Sequence, residues 1–341
     1  MIEQLTYVGP YKLQWREAPA PRLTSDRAAL VRPLAVATCD LDGLIIAGAS
    51  PFEAPFPLGH ECVAEVIDVG DAVTGVKPGD RVSVPFQISC GQCAACVRGR
   101  TANCTGVAPM STYGFGPEVA KWGGFLSDLI AVPFADHMLV KLPEGLEPSA
   151  LASASDNISD AWRAVGPPLE DEPRAPVLIV GGYRPGSIGL YAAAVATAVG
   201  AQSVTYVDDD ERRRRLAASF GAHTPSPPFP KRLEPFPITV DASVSPDGIA
   251  LALRSTAPDG ICTSVAIYFG DPRPLPLLEM YTKGITFKTG RVNARPAIPH
   301  VLALAQSGKL KPEQITTRVV AWRDAPEALT EHDWTKLVIE R

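Results

Sequence analysis

Up to about residue 150, apolar positions fall in short runs, alternating or wholly apolar, each cut off by Pro or Gly. AALVRPLAVAT, CVAEVIDVG, DRVSVPF and DLIAVPFADHMLVKL are examples, and such runs predict strands. In VTGVKPGDRVSV a Pro-Gly-Asp turn joins two of them. An all-β, barrel-like region with long loops is therefore expected. Beyond residue 150 the period changes. LASASDNISDAWRAVG predicts a helix, after which PVLIVGG, an Ala-rich helix, SVTYVDDD and ERRRRLAASFGA alternate strand with helix. FPITVDAS, DGIALALRS, GICTSVAIYF and GITFKTG continue the alternation. This order calls for a parallel sheet with both faces covered. Between them, HTPSPPFPKRLEPFPI is too rich in Pro for a regular helix, so one strand–helix unit is expected to be abbreviated. From about Asn293, PAIPHVLALAQSG, APEALTEHD and TKLVIE predict short helices and a last strand that returns to the first domain.

At 341 residues the chain exceeds one ordinary core. Its 46% hydrophobic and 20% charged residues mark a globular protein. A net charge of −5 offers no footprint for nucleic acid or an anionic membrane. The opening MIEQLTYVGPYKLQW lacks the basic patch and apolar run of a signal peptide. Pro185 to Val207 carries no charge and is long enough to suggest a membrane span. Its Ala, Gly, Ser and Thr content and its β-like end are better explained by a buried helix followed by a buried strand. A cytoplasmic protein without membrane or nucleic-acid partners is the expectation.

Seven cysteines is an odd number, and four of them, Cys90, Cys93, Cys96 and Cys104, form C-x2-C-x2-C-x7-C. Four thiolates so close in sequence can close a tetrahedron around zinc, leaving no position open for chemistry. Gly91 and Gly99 let the loop bend back on itself. A disulfide pair and an iron–sulfur cluster are the competing readings; tight spacing without export disfavours the first, and no electron-transfer context supports the second. Elsewhere Cys39, the Gly59-His60-Glu61 triplet and Asp156 stand out. Each has a bland explanation: a small buried hydrophobe, a hydrogen-bonded core histidine, a helix cap before Ile158.

The strand PVLIVGG leads into a glycine-rich turn and a helix. Such a turn lets the backbone approach a pyrophosphate, and the helix N-terminus supplies N–H donors. Asp208 follows about twenty residues later, where a carboxylate meets the adenosine ribose. The usual G-x-G-x-x-G is stretched here to Gly181-Gly182-Tyr183-Arg184-Pro185-Gly186-Ser187-Ile188-Gly189. Pro185 offers no N–H, whereas Arg184 could add charge near the phosphates. Asp208 favours NAD by repelling a 2′-phosphate. The arginines at 212–215 argue for NADP, unless they form a solvated face paired with Asp208 to Glu211 at helical spacing.

Taken together, Cys39, then GHE about twenty residues on, then the four-cysteine lobe, resemble the medium-chain, zinc-containing alcohol dehydrogenases over nearly the whole chain. The resemblance implies an α/β protein: a GroES-like β-barrel-type catalytic domain with an inserted doubly wound Rossmann domain. The implied limits are 1–157 and 294–341 for the first, with its structural-zinc lobe at about 88–106, and 158–293 for the second. It implies a catalytic zinc on Cys39, His60 and Asp156, the last standing where many members have Cys; SDNISDAW is similar to formaldehyde-dehydrogenase-like members in this. Glu61 is implied beside the metal, ligating transiently. Arg213 is implied near the ribose, Ser243 and Val244 near the nicotinamide, and Lys336 near the phosphates. Zinc would act as Lewis acid while hydride passes between the nicotinamide and an alcohol or carbonyl compound. The pocket is expected in the loops around Ser50 to Pro57 and Met110 to Trp122 and in the interdomain cleft, whose Phe, Tyr and Pro content suits a medium-sized, partly apolar substrate.

The usual Ser or Thr of the proton relay is Leu41 here, and Asp42 takes a family position whose role is structural. A homodimer or homotetramer is implied, with the segment near Ile285 available for two-fold pairing. Rival readings are a reductase of C=N or conjugated C=C bonds on the same fold and a catalytically silent protein that binds zinc and nucleotide. Intact Cys39, His60, Glu61 and Asp156 speak against a reductase that lacks catalytic zinc.

Overall fold

The strand Ala29–Ala37 organises the first of two units, and Pro33 in its middle decides where it leads. Pro has no N–H to give to a ladder, and the register slips by one residue between Pro33 and Ala35 against the antiparallel strand Glu61–Val69. After the slip Ala37 pairs with Glu61, so the chain beyond this pair delivers Cys39 beside His60. The computed structural model describes all residues except Asp271 and His332.

This unit comprises Met1–Ser159, Val292–Gln306 and Thr316–Arg341. Its seven-stranded sheet runs in the order Arg318–Ala321, Leu337–Glu340, Ala29–Ala37, Glu61–Val69, Arg81–Val84, Val140–Lys141, with Ile130–Val132 also on Ala29–Ala37. A three-stranded sheet of Lys12–Ala18, Ile2–Gly9 and Phe56–Pro57 completes it. Leu5, Val31, Val63, Val82, Phe125 and Ile339 are among the buried residues of this core. The Pro-Gly-Asp turn is present: Gly79 takes a positive φ of 90°, and Lys77 N–H bonds the Asp80 carboxylate.

The second unit comprises Asp160–Arg291 and Ser307–Ile315. Its five strands are all parallel, in the order Val204–Val207, Val177–Val180, Phe236–Asp241, Thr256–Ser264, Thr286–Lys288. Val177–Val180 is buried at every position, as a central parallel strand covered on both faces must be. The uncharged stretch before Val207 folds as the helix Ser187–Val199 and the strand Val204–Val207. Among the described residues no helix is long and apolar enough to cross a membrane. Between His223 and Phe236 there is neither helix nor strand, the abbreviation that the Pro density predicts. The helix Asn157–Asp171 runs through Pro167 and Pro168, further than the sequence suggests.

Candidate active site

The cysteine lobe is built by its own backbone. Gly91 and Gly99 lie at φ of 75° and 71°, the left-handed region that costs glycine nothing. The chain thus folds back until the four sulfurs of Cys90, Cys93, Cys96 and Cys104 lie within 4.8 Å of one another. Amide groups point at the sulfurs: Cys90 N–H at Cys104 Sγ (3.3 Å), Cys93 N–H at Cys90 Sγ (3.4 Å), Thr105 N–H at Cys93 Sγ (3.4 Å). Those from Cys96 and Thr105 bring the Cys93 thiol down to about 5, whereas burial pushes Cys96 up to about 12. All seven cysteines are free thiols, and Cys93 Sγ lies 3.9 Å from Cys104 Sγ, far beyond a disulfide. A dication with four thiolates fits this cage. Cys96→Ser is expected to remove one zinc ion per chain and to lower stability; zinc content and thermal unfolding measure both.

The second cluster draws on three separate elements. Cys39 follows the strand Ala29–Ala37, His60 precedes Glu61–Val69, and Asp156 follows the short turn Ala152–Ser155. Their ligand atoms also lie within 4.8 Å of one another. His60 is wholly buried, yet neither ring nitrogen has a hydrogen-bond partner. Leaving such a group unsatisfied costs about 1–3 kcal/mol. The nitrogens instead face carboxylates at longer range: Nε2 lies 3.6 Å from Asp156 Oδ2 and Nδ1 3.7 Å from Asp42 Oδ1. That spacing leaves room for a cation between Nε2 and Asp156, with Asp42 on the far side to orient the ring.

Electrostatics agree. Burial, with Lys336 adding to it, lowers His60 to about 3, so the ring is neutral and its lone pair available. Burial and the charges of Asp42, Asp156 and Glu61 push the Cys39 thiol well up. Asp42 is raised to about 7, mainly by burial; its carboxylate still accepts the Cys39 N–H at 2.8 Å. One cation at the centre relieves all of this repulsion. Zinc therefore fits both clusters.

Glu61 and Lys336 are bound to each other behind this cluster. Glu61 is not among the converging ligand atoms. Ser153 Oγ (2.5 Å) and Lys336 Nζ (2.7 Å) hold its Oε2, and Asn157 N–H (3.2 Å) holds Oε1. Lys336, expected near phosphates, is fully buried in the first unit and also donates to the Thr38 carbonyl. Leu41 lies half-buried beside the site, its N–H on Cys39 Sγ at 3.2 Å. The Phe115 ring lies over His60 with centroids 4.0 Å apart, flanked by Phe86 at 5.7 Å and Phe52 at 5.9 Å. No local pattern marks Ser153 or Phe86, whereas Phe52 and Phe115 lie in the Phe-rich loops Ser50 to Pro57 and Met110 to Trp122.

In the second unit Gly181 and Gly182 follow the strand Val177–Val180, and Gly186 caps the helix Ser187–Val199 at φ 87°. A side chain on Gly186 would strike the Tyr183 carbonyl at 2.6 Å, and one on Gly189 would press Ala242 at 3.3 Å. Gly182 (φ 126°) faces open space, with nothing nearer than Ser243 Cβ at 4.0 Å. Glycine is thus required for the turn and for close packing, and one side stays clear for a ligand. Ser187 and Ile188 form the first helical turn. Arg184 is 84% exposed, 3.8 Å from the Asp210 carboxylate. Asp208 is 1% exposed and bonded by Arg213, which is itself buried. Arg215 pairs with Glu211 on a solvated face at helical spacing, whereas Arg213 is buried against Asp208. Ser243 turns its hydroxyl inward to Asp241 at 2.6 Å, and Val244 sits at φ 51°. A β-branched residue there is strained.

Comparison with known proteins follows the same division. Residues 25–144 match the alcohol dehydrogenase GroES-like domain, and residues 187–307 match the zinc-binding dehydrogenase family. A probable zinc-binding alcohol dehydrogenase of Mycobacterium tuberculosis is 30% identical over 313 residues, 90% of this chain and 79% of that one. The glutathione-independent formaldehyde dehydrogenase of Pseudomonas aeruginosa is 30% identical over 64% of this chain and 56% of its own. Among solved structures, an alcohol dehydrogenase from Thermus sp. ATN1 superimposes with a TM-score of 0.87 at 29% identity, covering 99% of both chains.

Proposed function

Because the chain belongs to the zinc-binding alcohol dehydrogenase family, we propose that Cys39, His60 and Asp156 hold the catalytic zinc of a nicotinamide-linked alcohol dehydrogenase. The observation that carries this reading is the buried His60, both nitrogens without a hydrogen bond, in reach of a thiol and a carboxylate. Three protein ligands leave a tetrahedral ion one position for substrate. When bound, zinc supplies Lewis acidity toward an alcohol or carbonyl oxygen, and the nicotinamide ring exchanges hydride with the neighbouring carbon. The chain's own residues do the rest. Asp42 orients His60 and, through the Cys39 N–H, fixes the thiolate's loop. Glu61, held by Ser153, Lys336 and Asn157, is a fixed charge behind the ligands. Phe115, Phe86 and Phe52 give the His60 side an apolar lining, which suits a partly apolar, medium-sized substrate. Cys90, Cys93, Cys96 and Cys104 hold a structural zinc.

Gly181 to Gly189 cradle the cofactor's pyrophosphate, with Ser187 and Ile188 in the first turn of the helix whose N-terminus faces it. The strained Val244 and its neighbour Ser243 mark the nicotinamide side. Leu41 offers no hydroxyl for a relay, so the proton leaves through water. Leu41→Ser is expected to raise alcohol oxidation severalfold near neutral pH and to shift its pH profile; an unchanged profile and rate would mean that proton departure is not limiting. The exposed Leu277, Leu278 and Tyr281, next to the edge strand Thr286–Lys288, support a homodimer or homotetramer. A panel of alcohols and carbonyl compounds, run with each nicotinamide nucleotide and with zinc removed and restored, tests the reading. No zinc-dependent turnover on any of them would defeat it.

A further inference from the structure

We propose that the adenosine end of the nucleotide site is built for a 2′-phosphate, so that the chain prefers NADP(H), with Arg184 as the phosphate's anchor. The inference rests on the reading that a nicotinamide nucleotide binds at Gly181–Gly189, and it reverses the preference that Asp208 suggests in the sequence.

A carboxylate at the end of the second strand selects NAD in two ways: it accepts the ribose hydroxyls, and it repels a phosphate on the 2′-oxygen. Asp208 can do neither here. Arg213 grips it bidentately, Nε to Oδ2 at 2.8 Å and Nη2 to Oδ1 at 2.7 Å. Tyr206 donates its hydroxyl to Oδ2 at 2.7 Å, and the Asp210 N–H bonds Oδ1 at 2.8 Å. Four donors on two oxygens fill a carboxylate's acceptor sites. The pair is buried, Asp208 at 1% and Arg213 at 5% exposure, and its charges cancel. A ribose diol could reach Asp208 only by displacing a buried guanidinium that would then lack its partner, a strongly unfavourable exchange.

The pair is also wedged beneath the loop. Arg213 Nη1 bonds the Pro185 carbonyl at 3.3 Å, and a side chain on Gly186 would meet Arg213 Cδ at 2.9 Å. The arginine is therefore part of the turn's packing and does not swing freely.

What remains outside the pair is weighted toward positive charge. Arg184 holds its guanidinium at the surface, 84% exposed, on the loop that covers Arg213. Arg214 reaches the Asp208 carbonyl at 2.6 Å. Opposing charges are present: Asp209 is exposed, and Asp210 lies 3.8 Å from Arg184. Asp210 also caps the helix Glu211–Ser219, accepting from the N–H groups of Arg212 and Arg213; it stays ionised and offsets part of the Arg184 charge. Glu211 is matched by Arg215 at 2.9 Å. In all, Arg184 and the arginines at 212–215 face the acids at 208–211, five against four. A dianionic phosphate gains from an exposed guanidinium whose planar fork matches its oxygens; a ribose hydroxyl gains nothing comparable.

The test is direct binding to the full-length, zinc-loaded chain without turnover, using titration calorimetry with 5′-AMP and 2′,5′-ADP. The expected result is that 2′,5′-ADP binds at least about tenfold more tightly, as a charge-assisted contact implies. Arg184→Ala is expected to bring 2′,5′-ADP down to the level of 5′-AMP; at 84% exposure its loss does not threaten the fold. Equal or tighter binding of 5′-AMP would overturn the inference and leave the nucleotide site standing, and so would an Arg184→Ala chain that keeps the full gain. If neither probe bound, both the inference and the nucleotide reading beneath it would fall.

Discussion

A His60→Ala chain is expected to carry about one zinc ion where the parent carries about two. Its alcohol oxidation should fall by more than the roughly 10–100-fold that loss of a ligand's outer partner costs. The size of the effect follows from the electrostatics of the cluster. Without the imidazole, only Cys39 and Asp156 remain, and the Cys39 thiol is pushed up by burial and by the charges of Asp42, Asp156 and Glu61. A metal must displace that proton to bind, and two ligands are too few to drive it. The cysteine lobe shares no ligand with this centre, so its zinc should stay. Elemental analysis alongside steady-state kinetics separates the two sites. A variant that kept both ions, or kept its turnover, would remove His60 from the ligand set.

Lys336→Met is expected to destabilise the chain by about 3–5 kcal/mol, because it leaves a buried carboxylate without its counter-charge. Both Lys336 Nζ and the Glu61 carboxyl are fully enclosed, 2.7 Å apart. For a domain of this size that cost corresponds to a fall in apparent melting temperature of roughly 10 °C. Ser153 and the Asn157 N–H still hold Glu61, but neither supplies charge. The double variant Lys336→Met, Glu61→Gln should recover much of the loss, since an apolar or neutral pair replaces the uncompensated ion. Were the single variant as stable as the parent, the ion pair would not be the element that fixes Glu61 behind the metal cluster.

What could be read from the chain alone follows the range of the interactions concerned. The cysteine lobe is legible because its ligands crowd between residues 90 and 104 and few other purposes need four thiols there. Cys39, His60 and Asp156 are bland one by one; only their order along the chain, set beside a known family, makes them a group. The parallel sheet is legible because Val177–Val180 and its companions are wholly apolar runs between helices.

Glu61 and Lys336 lie 275 residues apart, and no local pattern foretells that a lysine near the C-terminus will be sealed against a glutamate at a strand's start. Asp208 holds a partnership that the sequence does not announce, for a different reason. Spacing places it at the end of the second strand, but its bonds to the Arg213 and Tyr206 side chains depend on where those side chains turn, which spacing does not encode. Likewise Pro167 and Pro168 suggest a helix end, yet the helix Asn157–Asp171 continues through them.

The central claim, that Cys39, His60 and Asp156 form a second zinc site distinct from the cysteine lobe, is tested most directly by the zinc content of the purified chain after exhaustive dialysis. The account predicts about two ions per chain, one of which His60→Ala removes. About one ion per chain, not raised by added zinc and lost on Cys96→Ser, would contradict it.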